Sequence, residues 1–262
     1  MEAYLLSLAL TLAISLASLV PGAIDARLAT DLQTEARKQL GAETVVHAHV
    51  QGDPVLQLPW GVVPHLAVDL EHIQGWGFPV SRVHVELDDV HVSPWAVLAH
   101  QPPKLLAPAP ARVEVRLARA NLQAMLDLAL AKIKPADFAF DLPLLGHVQP
   151  VLSEAHVLLE GNRVGVTGQV RLKEGAAPRT FAASIGLAVK AGKYLVPVDP
   201  RLSLGTQGIP SFLLGPLTKG LAPLLTLQDL HLRESTWTMD EPRVLADGVT
   251  LRIHGTVDDF KP

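Results

Sequence analysis

The spacing of the hydrophobic residues along this chain predicts three helices. In residues 23–41 every fourth residue is apolar and charged residues fill the opposite face, which predicts an amphipathic helix. Residues 119–133 carry a similar stripe, and Pro135 follows, where a helix cannot continue. A third, shorter helical stretch is predicted over about residues 211–221.

Between and after these helices the period of the apolar residues is two, which is typical of strands with one buried face. Gly161-Asn162 and Ala191-Gly192 predict turns between strands, and a phase slip at Asp88-Asp89 predicts a β-bulge. The predicted strands are 45–51, 66–73, 83–92, 113–117, 138–142, 155–159, 163–172 and 181–189, followed by a hairpin of 227–239 and 244–257 around a turn at Asp240-Glu241-Pro242.

One-sided strands in runs, separated by occasional helices, favour an α+β fold with an antiparallel sheet over an alternating α/β fold. A sheet this large curls or splits. If it curls around the helix of residues 119–133, the space beside that helix is either filled by side chains or left open for a ligand. The residues predicted to line such a groove are Leu122, Met125, Leu126, Ala129, Ile133, Phe212, Leu213, Leu217 and Leu221. The alternative is that they form an ordinary core.

The first residues predict a targeting or anchoring segment. Residues 3–20 contain no charged residue, and the run is just long enough to span a bilayer. Cleavage after Ala17 and retention as an anchor are both open, and a buried core helix is the third alternative. We therefore expect residues 1–23 to be a signal peptide or anchor and residues 24–262 to form one extracytoplasmic domain.

Composition excludes several classes of function. The chain has no cysteine, so it can form no disulfide and no thiolate site. Its formal net charge of −4, with no basic stripe, argues against a nucleic-acid partner.

Histidines and acids recur on the polar sides of strands. His47 and His49 share one face, as do His84, Glu86 and Asp88. Such rows could present metal ligands, but the solvent-exposed face of a sheet is polar in any case. We expect no metal site and no cofactor.

Two other clusters contain residue types that a hydrolase uses, namely Ser153-Glu154-Ala155-His156 and Asp88-Asp89-Val90-His91. Neither lies in a strand–turn–helix elbow or another catalytic motif. The sequence therefore predicts no catalytic residue.

Three aromatic residues lie in segments rich in glycine and proline. These are Trp60, Trp76 and Phe78. Because tryptophan favours the headgroup region of a bilayer, we expect these residues to contact a membrane surface. The alternative is that they cap one end of the core.

The segment Gly52-Asp53-Pro54-Val55-Leu56-Gln57, after an apolar run, an amphipathic helix and a strand, resembles the opening of the LmeA-like phospholipid-binding family. The family tends to carry a bulky aromatic residue where Val55 stands. The order of elements over about residues 24–257 is also similar. The resemblance implies a fold like the tubular lipid-binding (TULIP-type) proteins, location in the cell envelope or periplasm, and lipid or phosphoinositide-like binding without catalysis.

Pattern and resemblance together predict non-catalytic binding or transfer of a phospholipid or another acyl-chain lipid. One alternative is a structural or scaffolding envelope protein with a filled core. An extracytoplasmic hydrolase is the other. Lipid identity and protein partners are not predicted.

Overall fold

A computed structural model describes residues 42–51, 61–73, 79–93, 105–132, 140–142, 146–148, 151–171, 177–209, 225–226 and 236–257. The elements within these residues, in chain order, are β1 (Val45–Gln51), β2 (Val62–Ile73), β3 (Val80–His91), β4 (Ala109–Ala118), α1 (Arg119–Lys132), β5 (Phe140–Leu142), β6 (Gly146–Val148), β7 (Val151–Glu160), β8 (Arg163–Arg171), β9 (Arg179–Lys190), β10 (Tyr194–Leu204), β11 (Gln207–Ile209), β12 (Leu225–Thr226), β13 (Trp237–Met239), β14 (Arg243–Leu245) and β15 (Gly248–Val257). The helix predicted over residues 119–133 is confirmed as α1. The helices predicted at residues 23–41 and 211–221 lie outside the described residues.

The described strands form two large antiparallel sheets and one small hairpin. The first sheet has the order β1-β2-β3-β4-β15-β13, with β14 following β13 along the same edge of β15. The second sheet has the order β11-β10-β9-β8-β7, and β12 also pairs with β10. Strands β5 and β6 pair with each other. The antiparallel arrangement predicted from the one-sided strands is confirmed, and the strands split between two sheets.

Alternation along the first sheet separates a buried apolar face from a polar face. In β2, Leu66, Val68 and Leu70 are buried, whereas Asp69 and Glu71 between and after them are partly exposed. Strand β3 follows the same rule. Residues from both large sheets share one hydrophobic core, in which Val157 and Leu159 of β7 join the side chains of the first sheet.

The β-bulge predicted at Asp88-Asp89 is wrong: the burial pattern slips there, but no residue is inserted. Asp89 has a positive φ of 51°, and burial changes phase there because Leu87 and Val90 are both buried. The register between β2 and β3 nevertheless continues unchanged, because the burial pattern of β2 also changes phase, at Pro64, which lies opposite Asp89. Proline has no N–H to donate, so the two strands deform together at this position.

A one-residue bulge interrupts β7. Between Ser153 and His156 the register with β8 shifts, and Glu154 has a positive φ of 52°. The opposing residue is Gly168, where a Cβ would lie 3.0 Å from the Ala155 Cα and 3.0 Å from the Glu154 carbonyl oxygen. Glycine is therefore needed for the bulged backbone to approach β8 this closely.

The predicted terminal hairpin turn at Asp240-Glu241-Pro242 is wrong. These three residues lie between β13 and β14, and both of those strands pair with the same edge of β15. The chain reverses instead at residues 246–247, directly before Gly248. Pro242 cannot donate to the ladder, while the Asp240 N–H still donates to the Arg252 carbonyl oxygen at 2.8 Å.

Candidate functional site

Helix α1 continues directly from β4 and is fixed at its first turn. The Ser81 hydroxyl accepts from the Ala118 N–H at 2.6 Å and donates to the Asn121 Oδ1 at 2.9 Å. The Arg119 N–H donates to the Asp247 carbonyl oxygen at 2.8 Å. These bonds tie the start of α1 to β3 and to the turn before β15.

On its other side, α1 lies against β7, the edge strand of the second sheet. The Gln123 amide donates to the Ala155 carbonyl oxygen at 2.9 Å and accepts from the Val157 N–H at 2.8 Å. One turn earlier, Arg119 Nη2 donates to the Val157 carbonyl oxygen at 3.0 Å. Side chains of α1 thus take the place of a neighbouring strand along this part of the edge.

Most of the α1 surface is apolar, and little of it is covered. Nine of its fourteen residues are apolar, and they occur on every side of the helix. Of the α1 side chains that the structure describes (119–128, 130 and 131), none is fully buried, and Leu128 is 58% exposed. A helix that is apolar all round is normally buried in a core or in a membrane. The helix therefore presents apolar surface that the described protein does not cover.

The predicted groove residues fall into two groups. Leu122, Met125 and Leu126 lie on α1 and are half-buried, and Leu122 and Leu126 pack against the shared core. Ala129 is also in α1. The remaining predicted lining residues, Ile133, Phe212, Leu213, Leu217 and Leu221, lie outside the described residues.

The polar face of the first sheet forms an open trough of about 760 Å³. The residues lining this trough are His84, Glu86, residues 110–114, Thr236, Asp240 and residues 252–256. Its charges are paired with one another: Arg112 donates to Glu86 and to Asp88 at 3.2 Å, and Arg252 donates to Glu114 at 2.7 Å. A trough lined by paired charges is poorly suited to an acyl chain, which favours apolar surface.

His84 lies between two carboxylates on this polar face. Its Nδ1 is 2.9 Å from Asp69 and its Nε2 is 3.1 Å from Glu86. Partial burial lowers the pKa of His84, but the hydrogen bonds to Glu86 and Asp69 and the charges of both carboxylates outweigh it, so its pKa is raised. His84 thus carries its proton to a higher pH than a free histidine.

The described residues contain no group of three or more histidine, aspartate or glutamate side chains that could hold a metal ion. His47 lies on exposed polar surface, and His84 and Asp88 take part in the paired network of the trough. Among the hydrolase-type residues, Glu154 accepts from Gln169 at 2.7 Å, and His91 contacts Asp89 at 3.0 Å.

The aromatic residues Trp60, Trp76 and Phe78 lie outside the described residues. Gly61, which follows Trp60, directly precedes β2, whereas the segment with Trp76 and Phe78 joins Ile73, at the other end of β2, to Pro79. A twelve-residue strand is roughly 35 Å long. The two aromatic segments therefore start from opposite ends of the first sheet.

Among the residues that the structure describes, there is no helix with the length and apolar character needed to cross a membrane. The apolar run of residues 3–20 lies outside them.

The geometry defines an antiparallel β protein whose single described helix joins two sheets and has apolar surface that the other described residues do not cover. The sequence profile described as LmeA-like phospholipid-binding matches residues 21–254, nearly the whole chain. The chain therefore belongs to the LmeA-like phospholipid-binding family, as the resemblance predicted. Neither a curated protein nor a solved structure matches the chain.

Proposed function

We propose that this protein binds a phospholipid outside the cytoplasm, without catalysis, and holds an acyl chain against α1 where the two sheets meet. Membership of the LmeA-like phospholipid-binding family supports the class of ligand. The uncharged run of residues 3–20 supports export.

The observation that carries the position of the ligand is the apolar surface of α1 that the described residues leave uncovered. Met125 and Leu128 are not fully buried in the described protein, although both are strongly apolar. Covering such side chains with hydrocarbon is favourable by roughly 0.8 kcal/mol for each buried methylene. Under this proposal the sheets curl about α1 in a TULIP-like manner, and the lipid completes the core.

Purified protein that has been exported by its host should carry phospholipid at close to one molecule per chain. Native mass spectrometry before and after organic extraction measures this directly, because a bound lipid adds its mass to the folded protein and appears in the extract.

A structural envelope protein with a filled core is the second candidate, because many first-sheet side chains are almost fully buried, for example Leu66 and Leu87. Protein of unshifted mass with a lipid-free extract would favour that candidate.

One end of the first sheet is the better candidate for membrane contact. Ser81, next to the start of β3, binds the first turn of α1, so α1 starts at the end of the sheet to which residues 74–78 are attached. Trp60 precedes Gly61 at the far end. A lipid moving between a membrane and α1 travels least if the end with Trp76 and Phe78 faces the bilayer.

We expect Trp76→Ala to weaken binding to phospholipid vesicles by about threefold or more, while Trp60→Ala changes it less, since an interfacial tryptophan anchors only the end that touches the bilayer. Sedimentation with liposomes measures both, and the two variants remove the same side chain from opposite ends. Parent-like binding by both variants would contradict a membrane role for these aromatic residues.

A further inference from the structure

Polar side chains of α1 bind the edge of β7, beside the apolar packing of Leu122 and Leu126 against the core. An edge strand leaves alternate N–H and C=O groups without a neighbour. At Ala155 and Val157 these groups bind the long side chains of Gln123 and Arg119. Two residues four apart on a helix are separated by about 6 Å along its axis, and alternate residues of a strand are separated by roughly 6.6 Å. Side chains four apart on the helix can therefore reach polar groups of alternate residues on the strand edge.

The interior lies directly behind this contact. Ala155, Val157 and Leu159 of β7 are buried, and the last two belong to the core shared by both sheets. Hydrocarbon that passes between α1 and β7 therefore reaches the same interior that the apolar face of α1 borders.

The first turn of α1 is fixed, whereas the helix body is held more weakly. The turn is covalently joined to β4 and bonded to Ser81 and Asp247. Beyond it, the hydrogen bonds of Gln123 join the helix to β7, and no described side chain of α1 is fully buried. A helix fixed at its first turn, whose described side chains beyond that turn are only half-buried or exposed, can pivot about that turn.

We propose that α1 is a hinged strap, that the contact between α1 and β7 is the entrance for the acyl chain, and that Gln123 is the latch that closes it. The proposal rests on the proposed function and adds the route of entry. Gln123 is a positioning residue: it acts by holding α1 against β7.

The latch is tested by the rate of lipid uptake from donor vesicles of phosphatidylcholine and phosphatidylglycerol that contain a self-quenching fluorescent phospholipid. Gln123→Ala removes both hydrogen bonds to β7 and should speed uptake about fivefold or more. The Val157 amide should exchange its hydrogen faster by a similar factor. Gln169→Ala, which removes a half-buried glutamine bonded to Glu154 on the neighbouring strand, is the matched control and should keep parent rates at both readouts. Parent-like uptake by Gln123→Ala would overturn the latch.

A tether across the contact gives the opposite test. The chain has no cysteine, so Gln123→Cys with His156→Cys gives one reactive pair, and His156 is exposed beside Ala155. Joined by a short, reducible bis-maleimide, this protein should take up lipid at least tenfold more slowly than the same protein after the linker is cleaved. Equal rates before and after cleavage would overturn the entrance. Equilibrium lipid binding by the parent is measured in the same vesicles. A parent that acquires no lipid would overturn the proposed function, and with it the proposed entrance.

Discussion

Met125→Glu should reduce phospholipid binding roughly tenfold or more. Met125 lies on the half-buried flank of α1 beside Leu122, where we propose that the acyl chain binds. A carboxylate there would have to lose its water to contact hydrocarbon, and burying an uncompensated charge costs several times the energy of one methylene contact. Titration of the protein with a fluorescent phospholipid measures the loss.

Ala124→Glu is the matched control, because it introduces the same side chain one residue away at an exposed position of the same helix. Alanine and glutamate are both good helix formers, so neither change should break α1. We expect Ala124→Glu to bind within about twofold of the parent, since an exposed carboxylate costs little. Equal binding by both folded variants would place the lipid elsewhere.

Leu66→Ala should lower the free energy of unfolding by about 2–5 kcal/mol. Leu66 is only 1% exposed and lies in the middle of β2, within the core that joins both sheets. Truncation removes apolar burial and leaves a cavity that the surrounding strands fill only in part. Urea unfolding of the lipid-free protein, followed by circular dichroism, measures the change.

Leu245→Ala makes the same chemical change at a leucine that is 55% exposed, on β14. Its expected effect on the free energy of unfolding is within about 0.5 kcal/mol. A cost at Leu66 no larger than the cost at Leu245 would mean that the buried face of the first sheet does not support the fold as described.

Local pattern was enough to predict much of the fold. Alternation in β2 and β3 identified which side chains are buried, because the period of a strand assigns each residue to a face. The Gly161-Asn162 and Ala191-Gly192 turns are confirmed, and Gly161, Ala191 and Gly192 have the positive φ angles that such turns require.

Long-range pairing could not be predicted from pattern. Strands β4 and β15 pair along their full lengths although most of the chain's second half separates them, and alternation alone does not name a partner. Pro242 and Asp247-Gly248 are both turn signals in the sequence, and only the second one accompanies a reversal of the chain.

The candidate site was predicted only in its apolar part. The stripe of Leu122, Met125 and Leu126 follows from helical spacing, and the structure places all three on α1. The contact with β7 was missed. Its signal was the pair Arg119 and Gln123, two long polar residues four apart on a mostly apolar helix. The edge strand that they bind is visible only once the sheets are assembled.

The position of the acyl chain against α1 can be mapped with a phospholipid that carries a photoreactive diazirine in its acyl chain. Trypsin cleaves after Arg119 and Lys132, so residues 120–132, nearly all of α1, are released as one peptide. After illumination of the complex and digestion, we expect mass spectrometry to find the lipid adduct mainly on this peptide. Adducts confined to peptides of the trough, such as those with Glu114 or His254, would contradict it.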